Sequence, residues 1–259
     1  MDEPFVLRED RGGVVRLTLN RGDKLNPLSS AMLEALQTEL DCLREDASVR
    51  VVVLAAAGKH FCAGHDLREM IAHPDQAWQQ ALFARCNAMM MSLVRLPQPV
   101  IARVQGVAVA AGCQLVSMCD LAVASTEARF ALPGIKSGLF CTTPGVGVSR
   151  NVSRKHAMEL LLTGDPIDAP TAERWGLINR AVAPEKLDDA VASLAATIAS
   201  YSAAVVRLGK ERFYRQIECG MDDAYALAAD AMACNMMMED AGEGIDAFLA
   251  KRTPNWRQR

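Results

Sequence analysis

The residues best suited to chemistry sit in two glycine-bearing turns, "FCAGHDL" (residues 61–67) and "AVAAGCQL" (residues 108–115). Each follows a run of apolar, strand-like sequence and leads into helix-like sequence. Small residues at such turns let the backbone come close to a ligand. The first N–H groups of a helix have no partner inside it and point toward partial negative charge. Two such turns side by side would aim two N–H donors at one carbonyl oxygen, which is an oxyanion hole. Neither turn has G-x-G-x-x-G or P-loop spacing, so a nucleotide phosphate site is not implied. Gln114, just past the second glycine, can orient a water or a carbonyl. It cannot take up a proton at neutral pH.

The flanking sequence supplies elements to hold these turns. "VVRLTLN" (14–20) alternates apolar and polar residues, as a strand does. "RGDKLNPLS" (21–29) is a loop by its Gly, Asp, Asn and Pro. Residues 30–46 place Met32, Leu33, Leu36, Leu40 and Leu43 on one helical face. "VRVVVLAAAG" (49–58) reads as a buried strand. A long helix is predicted over 75–96, with Met89, Met90, Met91 and Leu93 available for burial. "PVIARVQGVAVAAG" (99–112) reads as one more strand, and residues 120–134 as two short strands around a turn. From Arg154 onward the pattern is mostly helical, ending in a long helical stretch over 203–251. Strands alternating with helices, then helices alone, predict an α/β fold followed by a helical region.

The 259 residues are 51% hydrophobic and 23% charged, with a net charge of −3. That suits a soluble globular protein with a sizeable core. No long basic block is present, so a nucleic-acid partner is not expected. No apolar run approaches the roughly 20 residues that span a bilayer. The acidic start, "MDEPFVLRED", resembles neither a signal peptide nor an organelle transit segment, and a cytoplasmic location is expected. The eight cysteines include no C-x-x-C pair and are expected to be reduced thiols. The four histidines do not make metal-ligand spacings, so no metal is expected.

Several stretches together resemble one family. "HFCAGHDLREM", "VQGVAVAAGCQLVSMCDLAVAS", "ARFALPGIKSGL", "TPGVG", "AMELLLTGDPIDAPTAERWGLINRAV" and "GEGIDAFLAKRTPNW" are similar to segments of the enoyl-CoA hydratase/isomerase (crotonase) family. They run in family order from about Val14 to Trp256. The resemblance implies a spiral of ββα turns over residues 1–195 and a C-terminal α-helical region over 196–259. It implies a homotrimer, or a hexamer made of two trimers. It implies binding of an acyl-CoA thioester, with no separate cofactor, since CoA enters as part of the substrate. By matching motifs, the oxyanion donors fall on the His65 and Ala111 N–H groups. The CoA moiety would lie along Lys24, Leu25, Ala63, Asp66 and Leu67, with Gly112 beside the thioester. Phe248 and Lys251 would reach the nucleotide end of a neighbouring subunit's CoA.

The resemblance also marks a departure. The hydratases carry two catalytic glutamates, one in a "GGGCE"-like stretch and one in a "PE"-like stretch. Here those positions hold Gln114 and Gly134. Loss of both carboxylates implies weak or absent hydratase activity, because acid–base catalysis is worth roughly 10²–10⁴-fold. The chain also has a slightly longer loop, "LFCTT", which brings Cys141, Thr142 and Thr143 toward the second position. With no base in view, Cys141 is expected to be inert. Asp66 is expected to cap its turn, and Glu69 to face solvent. Asp120 and Glu127 lie away from the turns. Two further readings follow. "AGHD" resembles the turn of methylmalonyl-CoA decarboxylases, where decarboxylation needs no base and His65 could orient the departing carboxylate. Alternatively, the protein binds acyl-CoA without catalysis.

Overall fold

A computed structural model describes residues 3–258. Met1, Asp2 and Arg259, at the ends of the two regions expected from the sequence, lie outside the described residues. In chain order the elements are β1 (Val6–Arg11), β2 (Val14–Leu19), α1 (Ser30–Glu45), β3 (Val51–Ala56), α2 (Leu67–Ala72) and α3 (Gln76–Arg95). They continue with β4 (Val100–Val104), β5 (Val107–Val109), α4 (Ala111–Ser117), β6 (Leu121–Ser125), β7 (Arg129–Ala131), α5 (Thr142–Val148) and α6 (Arg154–Thr163). The rest are β8 (Ile167–Asp168), α7 (Ala169–Trp175), β9 (Arg180–Val182), α8 (Leu187–Ala199), α9 (Ala203–Gln216), α10 (Met221–Met236) and α11 (Glu239–Leu249).

Six strands form one sheet in the order β1-β2-β3-β4-β6-β9, and β5, β7 and β8 form a smaller one. Only the β1–β2 pair of the large sheet is antiparallel. The chain therefore winds in repeated turns. A strand of the large sheet is followed by a strand of the small sheet and then by a helix, as in β4–β5–α4. An isolated bridge between Cys62 and Ala108 joins the turn after β3 to the small sheet.

β3 is buried along its whole length, which explains its unbroken apolar run. Its side chains alternate. Val52, Leu54 and Ala56 enter the main core with α1 and α3, while Val51 and Val53 pack with Leu187, Val191 and Ala195 of α8 on the other face. The five α1 residues expected on one face are all buried. Met89, Met90 and Leu93 of α3 are buried as well, and Met91 is half-buried.

Four features differ from the expectation. β1 lies ahead of the first expected strand, because its Arg8, Glu9 and Asp10 hide the alternation; only Val6 of it is buried. The single strand expected over 99–112 is two strands, broken at Gly106, where φ is +58°. A Cβ there would stand 2.1 Å from the Lys59 carbonyl oxygen. The long C-terminal stretch is three helices, interrupted near Gly220 and Met237. The boundary between residues 195 and 196 falls inside α8, which belongs to the sheet's second core.

α9 is fastened to the core by a buried charge network. The Lys210 ammonium donates to the Leu93 and Gln98 carbonyls at 3.0 Å and to Asp120 at 2.7 Å. Asp120 also accepts from the Val100 N–H and the Tyr214 hydroxyl. Burial pulls the Lys210 pKa down, opposed by Asp120, and pushes the Tyr214 pKa up. Among the described residues no single helix is long and apolar enough to cross a membrane.

Candidate active site

The two glycine turns meet at one cavity of about 410 Å³. In the first, Gly64 has φ +89° and the Asp66 carboxylate caps α2 by accepting from the Arg68 and Glu69 N–H groups. In the second, Ala110 precedes α4 with φ +51° and ψ −122°, a conformation that an L side chain rarely adopts. Such strain costs on the order of 1–3 kcal/mol and persists only where packing enforces it. Packing does so here. A Cβ on Gly64 would stand 2.9 Å from the Ala110 Cβ and 3.1 Å from the Ala111 nitrogen. A Cβ on Gly112 would stand 2.2 Å from the Cys62 carbonyl oxygen. Both glycines are thus required by the close approach of the turns, and the chain between Gly64 and His65 lies against the start of α4. Ala111 is the first residue of α4, so its N–H has no partner within the helix.

Ala63, His65, Leu67, Ala111 and Gly134 all line the cavity. Lys24 and Leu25 lie on the neighbouring loop, whose Leu25 carbonyl accepts from the Ala63 N–H at 3.0 Å. That loop is locked by Asn26, fully buried. Its side chain accepts from the Arg21 N–H and donates to the Ala57 and His60 carbonyls. Leu25 and Asn26 both have positive φ, a strained pair that this network holds.

Gln114 does not line the cavity. It is one helical turn past Ala111, on a helix whose residues are all buried, and it is 4% exposed. Its Oε1 has no hydrogen-bond partner among the described residues. The amide expected at the reacting centre is thus a buried group one turn into α4, the helix that packs against α5. Gly112 likewise packs against Cys62 and is not on the wall. Phe248 and Lys251 belong to α11 and the turn after it, and neither lines this cavity in the single chain; Phe248 is 82% exposed. Glu69 does not face solvent freely: its carboxylate accepts from the Ser30 N–H at 2.9 Å, at the start of α1.

The Gly134 position is closed to a side chain. A Cβ there would stand 2.8 Å from the Cys141 sulfur and 2.9 Å from the Leu139 carbonyl oxygen. The Gly134 N–H donates to that sulfur at 3.3 Å. Burial pushes the Cys141 thiol pKa up, against the smaller opposing effect of that N–H. The thiol is therefore held protonated and is a poor nucleophile.

His65 is half-sealed. Its Nδ1 lies 3.2 Å from the Leu28 carbonyl oxygen, which can only accept, so Nδ1 carries the proton. Its Nε2 is buried without a partner, and the ring stands edge-on to Phe83. Burial lowers the His65 pKa, outweighing the Leu28 bond and Glu69, which raise it. The ring is neutral near pH 7. The rest of the wall comes from residues the sequence reading did not single out: Met70, Phe83, Leu139 and Phe140 foremost. Met70 was legible as the residue one turn past Leu67. Phe83 is far off in sequence and carried no signal. Among the described residues, no Asp, Glu, Lys or Arg lines the cavity. Among the described residues, no cluster of three His, Cys, Asp or Glu gathers as a metal site.

A family model for enoyl-CoA hydratase/isomerase matches residues 9–259. The human enoyl-CoA hydratase domain-containing protein 3, mitochondrial, is 43% identical over 244 residues, covering 94% of this chain and 80% of that protein. Its Xenopus laevis counterpart is 42% identical over 253 residues, covering 98% and 86%. A crystal structure of an enoyl-CoA hydratase from Mycobacterium smegmatis matches with a TM-score of 0.97 at 56% identity, covering 98% of this chain and 99% of that one. The crystal structure of the human domain-containing protein 3 matches with a TM-score of 0.95 at 41% identity, covering 98% and 100%.

Proposed function

The chain belongs to the enoyl-CoA hydratase/isomerase family, and from that premise we propose that it binds an acyl-CoA thioester without acting as an ordinary hydratase. The thioester carbonyl would sit between the His65 and Ala111 N–H groups, with the CoA moiety along Lys24, Leu25, Ala63, Asp66 and Leu67. Two donors aimed at one oxygen stabilise the charge of an enolate, each typically worth about 3 kcal/mol. The observation that carries the reading is the cavity wall. Among the described residues it holds no carboxylate, and the Cys141 sulfur lies 2.8 Å from where the Cβ of a side chain at 134 would stand. Hydration needs one group to take a proton from water and one to deliver a proton to the α-carbon. Neutral His65, with Nδ1 committed and Nε2 sealed, supplies neither in this arrangement.

A decarboxylase of malonyl-type thioesters needs no base and could use the same pair of donors. Its support is weaker, because the His65 ring commits its N–H to the Leu28 carbonyl and carries no charge to offer a carboxylate. A protein that binds the thioester without turnover fits the same wall. The proposal includes a homotrimer or a dimer of trimers. Phe213, Ile217, Met221, Tyr225, Met232 and Met237 on and beside α9 and α10 are large, apolar and exposed, as subunit-contact residues are in a single chain. In such an assembly Phe248 and Lys251 would meet a neighbour's CoA. All eight cysteines are free, which supports a reducing compartment. We take it to be the cytoplasm, whereas the vertebrate relatives are named mitochondrial, and fractionation of the source cells separates the two.

The test is calorimetric binding of acyl-CoA together with turnover of crotonyl-CoA. Binding with hydration far below ordinary enzyme rates of about 1–10³ s⁻¹ is expected. Ala111→Pro removes one donor at the first helical position, where proline is tolerated, and should weaken binding by about tenfold or more. Unchanged affinity, or crotonyl-CoA turnover at ordinary rates, overturns the reading.

A further inference from the structure

On the thioester reading above, we infer that the acyl group is uncharged, apolar and of medium length, and that Phe140 and Leu139 are the residues that select it. The cavity wall beyond the two turns is built from Met70, Phe83, Pro133, Leu139, Phe140 and Pro144. Its polar groups are the hydroxyls of Ser137, Thr142 and Thr143, all uncharged. The Thr142 hydroxyl already donates to the Phe140 carbonyl at 3.3 Å. Among the described residues no lysine or arginine lines the cavity, and the one imidazole is neutral with its protonated nitrogen turned to Leu28. A carboxylate on the acyl chain would lose its water and gain no counter-charge, which is strongly unfavourable.

The same wall leaves apolar surface uncovered. Leu139 and Phe140 are each about half exposed at the cavity. An alkyl chain laid against them removes that surface from water. Leu139 and Phe140 stand on the loop that ends in Cys141. The approach of Cys141 to Gly134 fixes how far this loop reaches across the cavity. A cavity of about 410 Å³, set against about 30 Å³ for a water-sized group, holds on the order of ten such groups. A methylene is of similar size, and the thioester and the adjoining end of the CoA along Ala63 and Leu67 take part of this space, so acyl chains of fewer than about ten carbons fit.

The experiment measures dissociation constants by calorimetry on the full chain. The probes are CoA, acetyl-, butyryl-, hexanoyl-, octanoyl- and decanoyl-CoA, with malonyl-, succinyl- and glutaryl-CoA beside them. The expected affinity rises by up to about fourfold per methylene until the cavity is full, and each dicarboxylic ester binds at least tenfold more weakly than its apolar counterpart. Phe140→Ala flattens the rise without altering the affinity for CoA. Phe140→Arg shifts preference from butyryl- toward succinyl-CoA; if its melting curve shows misfolding, Leu139→Lys serves instead. If the esters bind but affinity ignores chain length, or succinyl-CoA equals butyryl-CoA, this inference is overturned and the thioester reading stands. If no CoA ester binds, the thioester reading falls and takes this inference with it.

Discussion

At Asp120 both carboxylate oxygens have partners, whereas at Gln114, on the helix just before it, an amide oxygen has none among the described residues. The joint at Asp120 ties α9 to the end of α3, to the start of β4 and to the turn after α4. The Lys210 ammonium has three donors, and all three are used. At the cavity, the turn into the same helix carries backbone strain at Ala110, and His65 opposite its start carries a ring nitrogen with no partner among the described residues, while Gln114 one turn further on buries an orphaned amide oxygen. The difference separates two kinds of region. The charges that anchor α9 are matched one to one, while strained backbone gathers where the two turns form the cavity.

The sharpest way to break this comparison is at Lys210. Lys210→Met leaves the Asp120 carboxylate buried without its counter-charge and should cost about 3–5 kcal/mol, read from denaturant midpoints at neutral pH. A loss below 1 kcal/mol would mean that the joint is not the anchor described.

Next in size is Gly134→Glu, which restores the hydratase letter. The new side chain meets the Cys141 sulfur and the Leu139 carbonyl, so a loss of about 1–3 kcal/mol is expected, with no gain in crotonyl-CoA hydration. Adding Cys141→Ala should recover part of the stability, because the sulfur contact is removed and the Leu139 contact is not. Full recovery, or hydration by the single variant, would show that the wall is softer than its distances imply.

Gln114→Met tests the other side. Its volume is similar and the lost oxygen has no partner, so the change in stability should stay within about 1 kcal/mol. Acyl-CoA affinity should not move. A large loss of either would mean that the amide holds something at the site.

The smallest effect concerns pH. Burial holds the folded-state pKa of His65 below its ordinary value of about 6.5. The unfolded chain therefore takes up this proton first as pH falls, and stability drops from about pH 6.5 down to the folded-state titration. Below it no further loss comes from this residue. In His65→Gln that part of the slope should vanish; an unchanged profile assigns the acid sensitivity to other groups.

Much of this was legible in the residues. The apolar face of α1 and the two-sided burial of β3 follow directly from periodicity, and the Asp66 cap follows from its place before a helix. β1 was not legible, because a strand at the edge of a sheet keeps charged residues on its open side. Met70 and the loop up to Cys141 were within reach of a local reading, while Phe83 joins the wall only through folding. Glu69 illustrates the same limit: one turn from Asp66, it read as a solvent-facing carboxylate, yet it meets the start of α1, far away in the chain.

The sequence by itself determined the family, the alternation of strands and helices, and the Gln and Gly letters at 114 and 134. These are carried by residue identities and short spacings, which local backbone physics turns into turns and periodic faces. Only the tertiary structure decided what surrounds those two positions. It buried Gln114 in α4, turned the proton of His65 toward Leu28 and set the Cys141 sulfur against Gly134. Each of those outcomes depends on distances between segments far apart in the chain, and no local pattern of residues encodes them.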